Sequence, residues 1–395
     1  MAVTPSATEP GLLPGPLHGI RILDFTNMMS GPYCTRLLAD MGAEVLKIEP
    51  PSGDHNRTRR PVRQGYSSFF GQMNCGKKSI VLDLKSRDGL DAALGLAARC
   101  DVVVENWRPG VADRLGVGYA ALAAIRPTLV YCSISGFGQK GPKALRPAYA
   151  AIVHAASGYD LAQVEYQGGG RPANTGTFIG DAVGGMAAFA AIQGALFQRE
   201  RTGRGQYIDV AMLDGMLNLM VHEAQEAQSP SDETMRVYEP LATRDGFIIV
   251  APTTHKNFLE LAAAVGRPEW ADDPRFRRTR EREAHWHELM QLIEEWTSQR
   301  TGAECEAVLL AAGVPCTRYQ TVAETLADPQ LQARGSLTRI DDPAGSYLIP
   351  NAPFQMPGVD TAPRNRVAAL GEDGAAVLGE LLGYDADRVR RCAGG

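Results

Sequence analysis

Residues 175–214 contain the acid best placed to do chemistry. The pattern runs Thr-Gly-Thr-Phe-Ile-Gly-Asp181-Ala-Val-Gly-Gly-Met, followed by a small-residue apolar run to Phe197. Asp181 stands between Gly180 and the start of a helical repeat of Ala187, Ala188, Ala191, Ile192 and Ala195. Side chains this small let a helix pack close to its neighbours. An acid at a helix start has two readings. It can be an N-cap, accepting the unpaired N–H groups of the first turn, or it can be a reactive carboxylate held in their field. Gly203 and Gly205 end the helical pattern, and 207–210 resumes as a strand. Past Asp214 the sequence predicts helix through Met220 to Ala227.

A second set of candidates lies at strand ends. One strand ends on Thr26, Asn27, Met28, Met29 and Ser30, and another on Leu82, Asp83, Leu84 and Lys85. A third ends on Asn106, Trp107 and Arg108, with Arg114 just beyond, and a fourth on Ser135, Gly136, Phe137 and Gly138. In parallel sheets ligands bind beyond the carboxyl ends of the strands. Four polar, glycine-bearing or aromatic ends together suggest a site for a long, partly anionic ligand with a stackable ring. Trp107 offers a stacking face, and Arg108 and Arg114 offer phosphate contacts. The loop 53–63 carries Arg57, Arg59, Arg60 and Arg63, which fits either a local anion patch or a solvated charged loop. Gly116-Val-Gly118-Tyr-Ala-Ala121 fits G-x-G-x-x-A but follows a helical segment, so it lacks the context of a dinucleotide loop. No phosphate-binding G-x-x-x-x-G-K-[ST] and no G-x-S-x-G is present.

These residues need a scaffold, and the chain between them supplies one. Strands are predicted over 19–25, 43–48, 79–84, 101–104 and 129–134, with helices over 31–41, 90–99 and 111–115. Short β-branched strands alternating with helices imply right-handed βαβ units and a mostly parallel sheet covered on both faces. Residues 228–234 read as a polar break and a domain boundary. Beyond it, 238–251 reads as two strands around Arg244-Asp245-Gly246, followed by helices over 258–265, 281–298 and 302–312. Trp270, Trp286 and Trp296 read as core anchors there. Residues 329–357 return to short strands, and 370–382 to a last helix that docks on the large domain.

The 395 residues are 44% hydrophobic and 22% charged, with a net charge of −5, a balance that does not suggest nucleic acid or an anionic membrane surface. The longest apolar stretch, 186–197, is short for a membrane span. Residues 1–16 lack a basic signal region and read as a disordered leader. Seven cysteines without a C-x-x-C pair favour a reduced, cytoplasmic protein. His285 and His287 lie two apart on a helical segment and make a poor metal pair.

Taken together, these motifs resemble the class III CoA transferases from Leu17 to about Leu382. The resemblance rests on Gly19-Ile-Arg-Ile-Leu-Asp-Phe25, on 39–49 ending Lys-Ile-Glu49, and on 74–85 ending Leu-Asp-Leu-Lys85. It also rests on Glu105-Asn106 with Arg-Pro-Gly110, Ser135-Gly-Phe-Gly-Gln-Lys-Gly-Pro142, Gly180-Asp181 and 201–206. The resemblance implies a large Rossmann-like α/β domain, a smaller inserted α+β domain, and two subunits interlocked as a homodimer. The expected division is 17–227 and 329–395 for the large domain and 228–328 for the small one. It implies coenzyme A, as acyl-CoA, for substrate, with no metal.

It makes Asp181 the nucleophile, passing through a mixed anhydride and an aspartyl-CoA thioester. Met29, Ser30, Leu82, Asp83, Leu84, Lys85, Asn106, Trp107, Arg108, Arg114, Ser135, Gly136, Phe137 and Gly138 are the implied CoA contacts. Two departures bear on substrate. Met29 stands where formyl-CoA transferases have glutamine, and 225–239 lacks their glycine-rich loop, which suggests a pocket less polar than oxalate needs. The α-methylacyl-CoA racemase branch has Gly-His-Asp where this chain has Ala148-Tyr149-Ala150. An acyl-CoA racemase and a non-catalytic CoA carrier are the alternatives to CoA transfer between two carboxylic acids.

Overall fold

A computed structural model of the protein describes residues 12–230 and 237–394. Part of the expected leader (1–11) and part of the expected break (231–234) lie outside the described residues. The chain divides into two compact units, the first running to Val221 and resuming at Ala333, the second His222–Gln332.

The first unit is built on one six-stranded sheet. Its order is Lys78–Val81, Glu44–Glu49, Arg21–Asp24, Val102–Glu105, Val130–Ser135, Gln206–Ala211. In chain order that is third, second, first, fourth, fifth, sixth, and every neighbouring pair is parallel. The winding reverses between the first and fourth strands, and a doubly wound sheet of this order opens its crevice there. Successive residues point to opposite faces, so each strand feeds two cores. Ile22, Val45, Val102, Val104 and Ile134 pack with helices Ser30–Asp40 and Ile179–Thr202 on one face. Leu23, Leu46, Ile80, Val103 and Tyr131 pack with Arg87–Ala97 and the tail helices on the other.

The tail carries two helices, Gly374–Leu382 and Ala386–Cys392; the second has no counterpart in the sequence reading. It folds onto the strand end at Leu82: the Asp83 N–H donates to the Cys392 carbonyl at 2.8 Å, and Arg391 pairs with Asp88. Residues 329–357, expected as strands, begin instead with helix Pro329–Ala333 before the hairpin of Leu337–Asp342 and Gly345–Pro350. The helix expected through Ala227 breaks at Met220, which leaves helical geometry with ψ 61°. All seven cysteines are free, and six are buried.

Helix Ile179–Thr202 is long and apolar enough to cross a membrane by length and composition. Here one side of it packs in the core, while Met186 and Phe197 on another are 44% and 65% exposed.

The second unit has a hairpin, Leu241–Thr243 with Gly246–Val250, turning at Arg244-Asp245, extended by Cys316–Arg318. Trp270 and Trp286 are buried in its core and Trp296 packs beside them. The helix expected over 281–298 is two, Thr279–Ala284 and Trp286–Thr297. His285 separates them at φ −114°, ψ 27°, which is outside helical geometry.

Candidate active site

The crevice at the winding reversal is shaped by the loop that follows the first strand. Asp24, fully buried at the end of that strand, organises it. Its Oδ1 accepts the Thr26 N–H at 2.8 Å and the Thr26 hydroxyl at 2.5 Å, and its Oδ2 accepts the Thr35 hydroxyl at 2.6 Å. Lys77 pairs with it at 3.1 Å. Burial alone would raise this carboxyl, but Lys77, Lys47 and the two hydroxyls outweigh it and hold the carboxyl below its ordinary range. Lys47 in turn donates to the Thr26 carbonyl at 2.8 Å and pairs with Asp54 at 3.0 Å. The loop is therefore held by charge from beneath.

At Met28 the backbone takes φ 63°, a left-handed conformation that a side chain adopts only under constraint, and the Asn56 amide donates to its carbonyl. At Gly31 a Cβ would fall 2.3 Å from Thr26 Cβ, so the turn into helix Ser30–Asp40 closes only around glycine.

Asn106 ties the two diverging strand ends across the crevice. Its Oδ1 accepts the Asn27 N–H at 2.9 Å, and its Nδ2 donates to the Asn27 carbonyl at 2.7 Å and to the Ser30 hydroxyl at 3.3 Å. Beside it the Trp107 N–H donates to Glu105 Oε2 at 2.8 Å, and the Trp107 ring leans on Phe25 at 5.6 Å. Burial pushes the Glu105 carboxyl up to about 7 against the Ser133 and Trp107 hydrogen bonds.

Asp181 reaches this loop from the opposite side. It is the third residue of helix Ile179–Thr202; Phe178 holds the cap position, and no side chain caps the helix. The carboxylate is therefore not spent as an N-cap. The Ser30 N–H and hydroxyl act on it to favour its ionised form, and both residues line the crevice. Burial raises the Asp181 carboxyl above its ordinary value, and Ser30, then the Arg59 charge, draw it partly back. Desolvation is the largest influence on this carboxyl.

Close approach of the two helices makes the meeting possible. At Gly185 a Cβ would lie 2.6 Å from the Ser30 carbonyl oxygen, and at Gly184 it would lie 3.0 Å from Met212 Cγ. The Gly180 N–H donates to Nε2 of fully buried His154 at 3.0 Å.

Of the residues expected to bind, Ser30, Asn106, Trp107, Arg108, Ser135, Gly136 and Asp181 line one stretch of the crevice. Leu82, Asp83, Leu84 and Lys85 line a second, joined to the first through Asn27 and Trp107. Met29, Arg114, Phe137 and Gly138 line neither. Met29 alternates with Met28 and Ser30, which do. Arg114 folds back over Gly110, with its guanidinium 3.5 Å from where a Cβ there would be. Gly138 turns away at φ 80° toward Asp209. Sequence reasoning passed over Arg146 and Met212 as lining residues, and over His55 in the second stretch. No periodicity or motif marks them. Among the described residues no cluster of three or more His, Cys, Asp or Glu could hold a metal ion.

Residues 17–374 match CoA-transferase family III. The chain belongs to that family. It is 37% identical to an acetyl-CoA:oxalate CoA-transferase of Acetobacter aceti over 96% of this chain and 99% of the relative. A succinyl-CoA:mesaconate CoA-transferase of Haloarcula hispanica is 33% identical over 95% and 99%. A crystal structure of a CaiB/BaiF family protein from Brucella suis superposes with a TM-score of 0.81 at 33% identity, over 93% of this chain and all of that one. The resemblance read from the motifs is the family found, and this family III member is an enzyme whose kinship supports CoA transfer.

Proposed function

We propose that the enzyme moves coenzyme A from an acyl-CoA thioester to a carboxylic acid through Asp181. The observation that carries this is the Asp181 carboxylate, not used as a helix cap, lining the crevice together with Ser30 at the winding reversal of the sheet. In the proposed sequence, an Asp181 oxygen attacks the thioester carbonyl and expels CoA as thiolate, leaving a mixed anhydride. The thiolate attacks the Asp181 carbonyl carbon, releasing the first acid and leaving an aspartyl-CoA thioester. The acceptor carboxylate repeats the steps in reverse, and Asp181 leaves as the free carboxylate. Partial desolvation of Asp181 makes it a better nucleophile, and the Ser30 N–H and hydroxyl offset the charge that comes and goes on its oxygens.

Asn106–Arg108 and Leu82–Lys85 would hold the CoA body along the joined stretches, with Ser135 and Gly136 at the acyl end and Met29, Arg114, Phe137 and Gly138 on the margin. Oxalate and mesaconate, named for the two relatives, are both dicarboxylic acids, which favours a small dicarboxylate here. His154 is fully buried and absent from the crevice lining, which supports transfer over α-proton abstraction.

Met186, Phe197, Leu217 and Leu219, all apolar and half-exposed, support the interlocked homodimer that the family resemblance implies. Free thiols throughout fit a cytoplasmic setting. The test is Asp181→Ala with acetyl-CoA or succinyl-CoA and a panel of acids. Exchange should fall at least about 10³-fold, and after incubation with acyl-CoA, hydroxylamine should convert the activated side chain at 181 to a hydroxamate, or borohydride reduce it to an alcohol, in wild type only. A variant exchanging at the wild-type rate refutes the mechanism.

A further inference from the structure

Four arginines lie in the loop after the second strand, and the fold treats them differently. Arg57 is spent internally: it forks onto Glu49 at 2.6 and 2.7 Å and donates to the Ala368 carbonyl at 3.2 Å. Arg63 pairs with Asp342 at 2.9 Å and lies over the Tyr347 ring. Arg60 is exposed.

Arg59 alone is half-buried without an ion-pair partner among the described residues. Its guanidinium lies 4.8 Å from the centroids of two rings, Phe69 and Phe178. Ring contacts of this kind take none of its N–H donors, which are left to fork onto a carboxylate.

The position of this cation is set from two sides. Phe178 is the cap residue of the helix that carries Asp181, three residues before it. Ser67 donates to the Arg59 carbonyl at 2.6 Å and caps the helix that carries Phe69. The Asn56 amide, from the turn leading into Arg59, bonds the Met28 carbonyl two residues before Ser30. The same segments thus bring Arg59 and Ser30 to the nucleophile. Arg59 stands outside the crevice lining proper, on the flank of Asp181 marked by Phe178. Its charge also helps draw the Asp181 carboxyl down against burial.

We infer that Arg59 receives the distal carboxylate of the acyl group or acceptor acid, so that the site selects dicarboxylic over monocarboxylic acids. This rests on Asp181 marking the reacting end. With one carboxylate at Asp181 for reaction, a second on the same small molecule meets the free guanidinium edge. A monocarboxylic acid of the same length leaves that cation unpaired.

The test compares oxalate, malonate, succinate and glutarate with acetate, propionate, butyrate and valerate, in wild type, Arg59→Gln and Arg59→Lys. Two readouts are taken: calorimetric binding of each acid to the CoA-loaded protein, and KM and kcat for exchange from acetyl-CoA. Wild type should prefer at least one dicarboxylate over its monocarboxylate partner by about tenfold or more in binding and KM. Arg59→Gln should erase the preference, bringing the dicarboxylate's binding and KM to within about twofold of its monocarboxylate partner's. Arg59→Lys, which keeps the charge, should retain part of it. A wild type that binds both classes equally, or a preference that survives Arg59→Gln, overturns the inference. Preferential binding without exchange would uphold Arg59 and count against CoA transfer, so the two readings fail separately.

Discussion

Replacing Gly185 with alanine tests whether helix contact sets the geometry of the site. The new Cβ would sit 2.6 Å from the Ser30 carbonyl oxygen and 3.1 Å from Tyr33 Cδ1. An ordinary carbon–oxygen contact is about 3.3 Å, so the helices must separate by about 0.7 Å. The oxygen belongs to the backbone and cannot rotate aside. The displaced elements are the two that carry Asp181 and Ser30. Overpacking of this kind costs about 1–3 kcal/mol, a fall in Tm of roughly 2–10 °C for a domain of this size. Misplacing the nucleophile by most of an ångström should lower kcat about 10- to 100-fold. Gly379→Ala is the control. It also sits inside a helix, but its Cβ would meet nothing nearer than 3.6 Å, so it should gain roughly 0.5–1 kcal/mol with unchanged turnover. Thermal unfolding and CoA exchange from acetyl-CoA to a dicarboxylate, measured side by side, give both numbers. A Gly185→Ala enzyme with wild-type kcat and a Tm matching the control would refute the claim that helix contact positions Asp181.

Two further substitutions probe the electrostatics. Ser30→Ala removes a hydroxyl that lowers an Asp181 carboxyl already raised by burial. In the proposed mechanism Asp181 must be ionised to attack, so the acid limb of kcat/KM against pH should move to higher pH, and an unmoved limb refutes the contact. Glu105 has a folded-state carboxyl near 7 against 4.5 for the free group, so the native state holds its proton more tightly. Stability should therefore fall as pH rises from about 4.5 to 7, by roughly 3 kcal/mol from this group. Glu105→Gln keeps an acceptor for the Trp107 N–H and should flatten that slope in urea titrations across the window; a slope equal to wild type's would count against it.

Much of the scaffold is legible in the chain because its signals are local. The runs at Ile22–Leu23, Val45–Leu46 and Val102–Val104 read as strands, since consecutive β-branched and aliphatic residues suit a sheet buried on both faces. Asp181 could be placed at a helix start for a similar reason: Gly180 precedes it and small residues follow at helical spacing. Whether it caps that helix or faces the crevice depends on Phe178 taking the cap position and on Ser30, about 150 positions earlier in the chain, reaching it. The arginines show the same limit. Arg57, Arg59 and Arg63 look alike in sequence, and their fates are decided by Glu49, two phenylalanines and an aspartate 279 residues away. The break at His285 has no punctuation, and the tail helix Ala386–Cys392 has only Gly383 before it and the N-cap Asp385, whose side chain accepts the Arg388 N–H. His285 lies inside an unbroken helical pattern, and the tail helix is a short charged segment whose order comes from docking on Asp83 and Asp88.

The cysteines bear on how an activated acyl group survives in this protein. A thioester or anhydride is open to any sulfur nucleophile within reach, and a thiol that captured it would leave the protein with a spent, acylated side chain. Burial raises Cys75 to about 11 and Cys100 to about 12, and Cys34 and Cys132 higher still, so almost none of these sulfurs is thiolate at neutral pH. Cys316, the one thiol that is not buried, is also pushed up to about 11 and belongs to the other unit. The polypeptide keeps its own sulfur out of competition with coenzyme A.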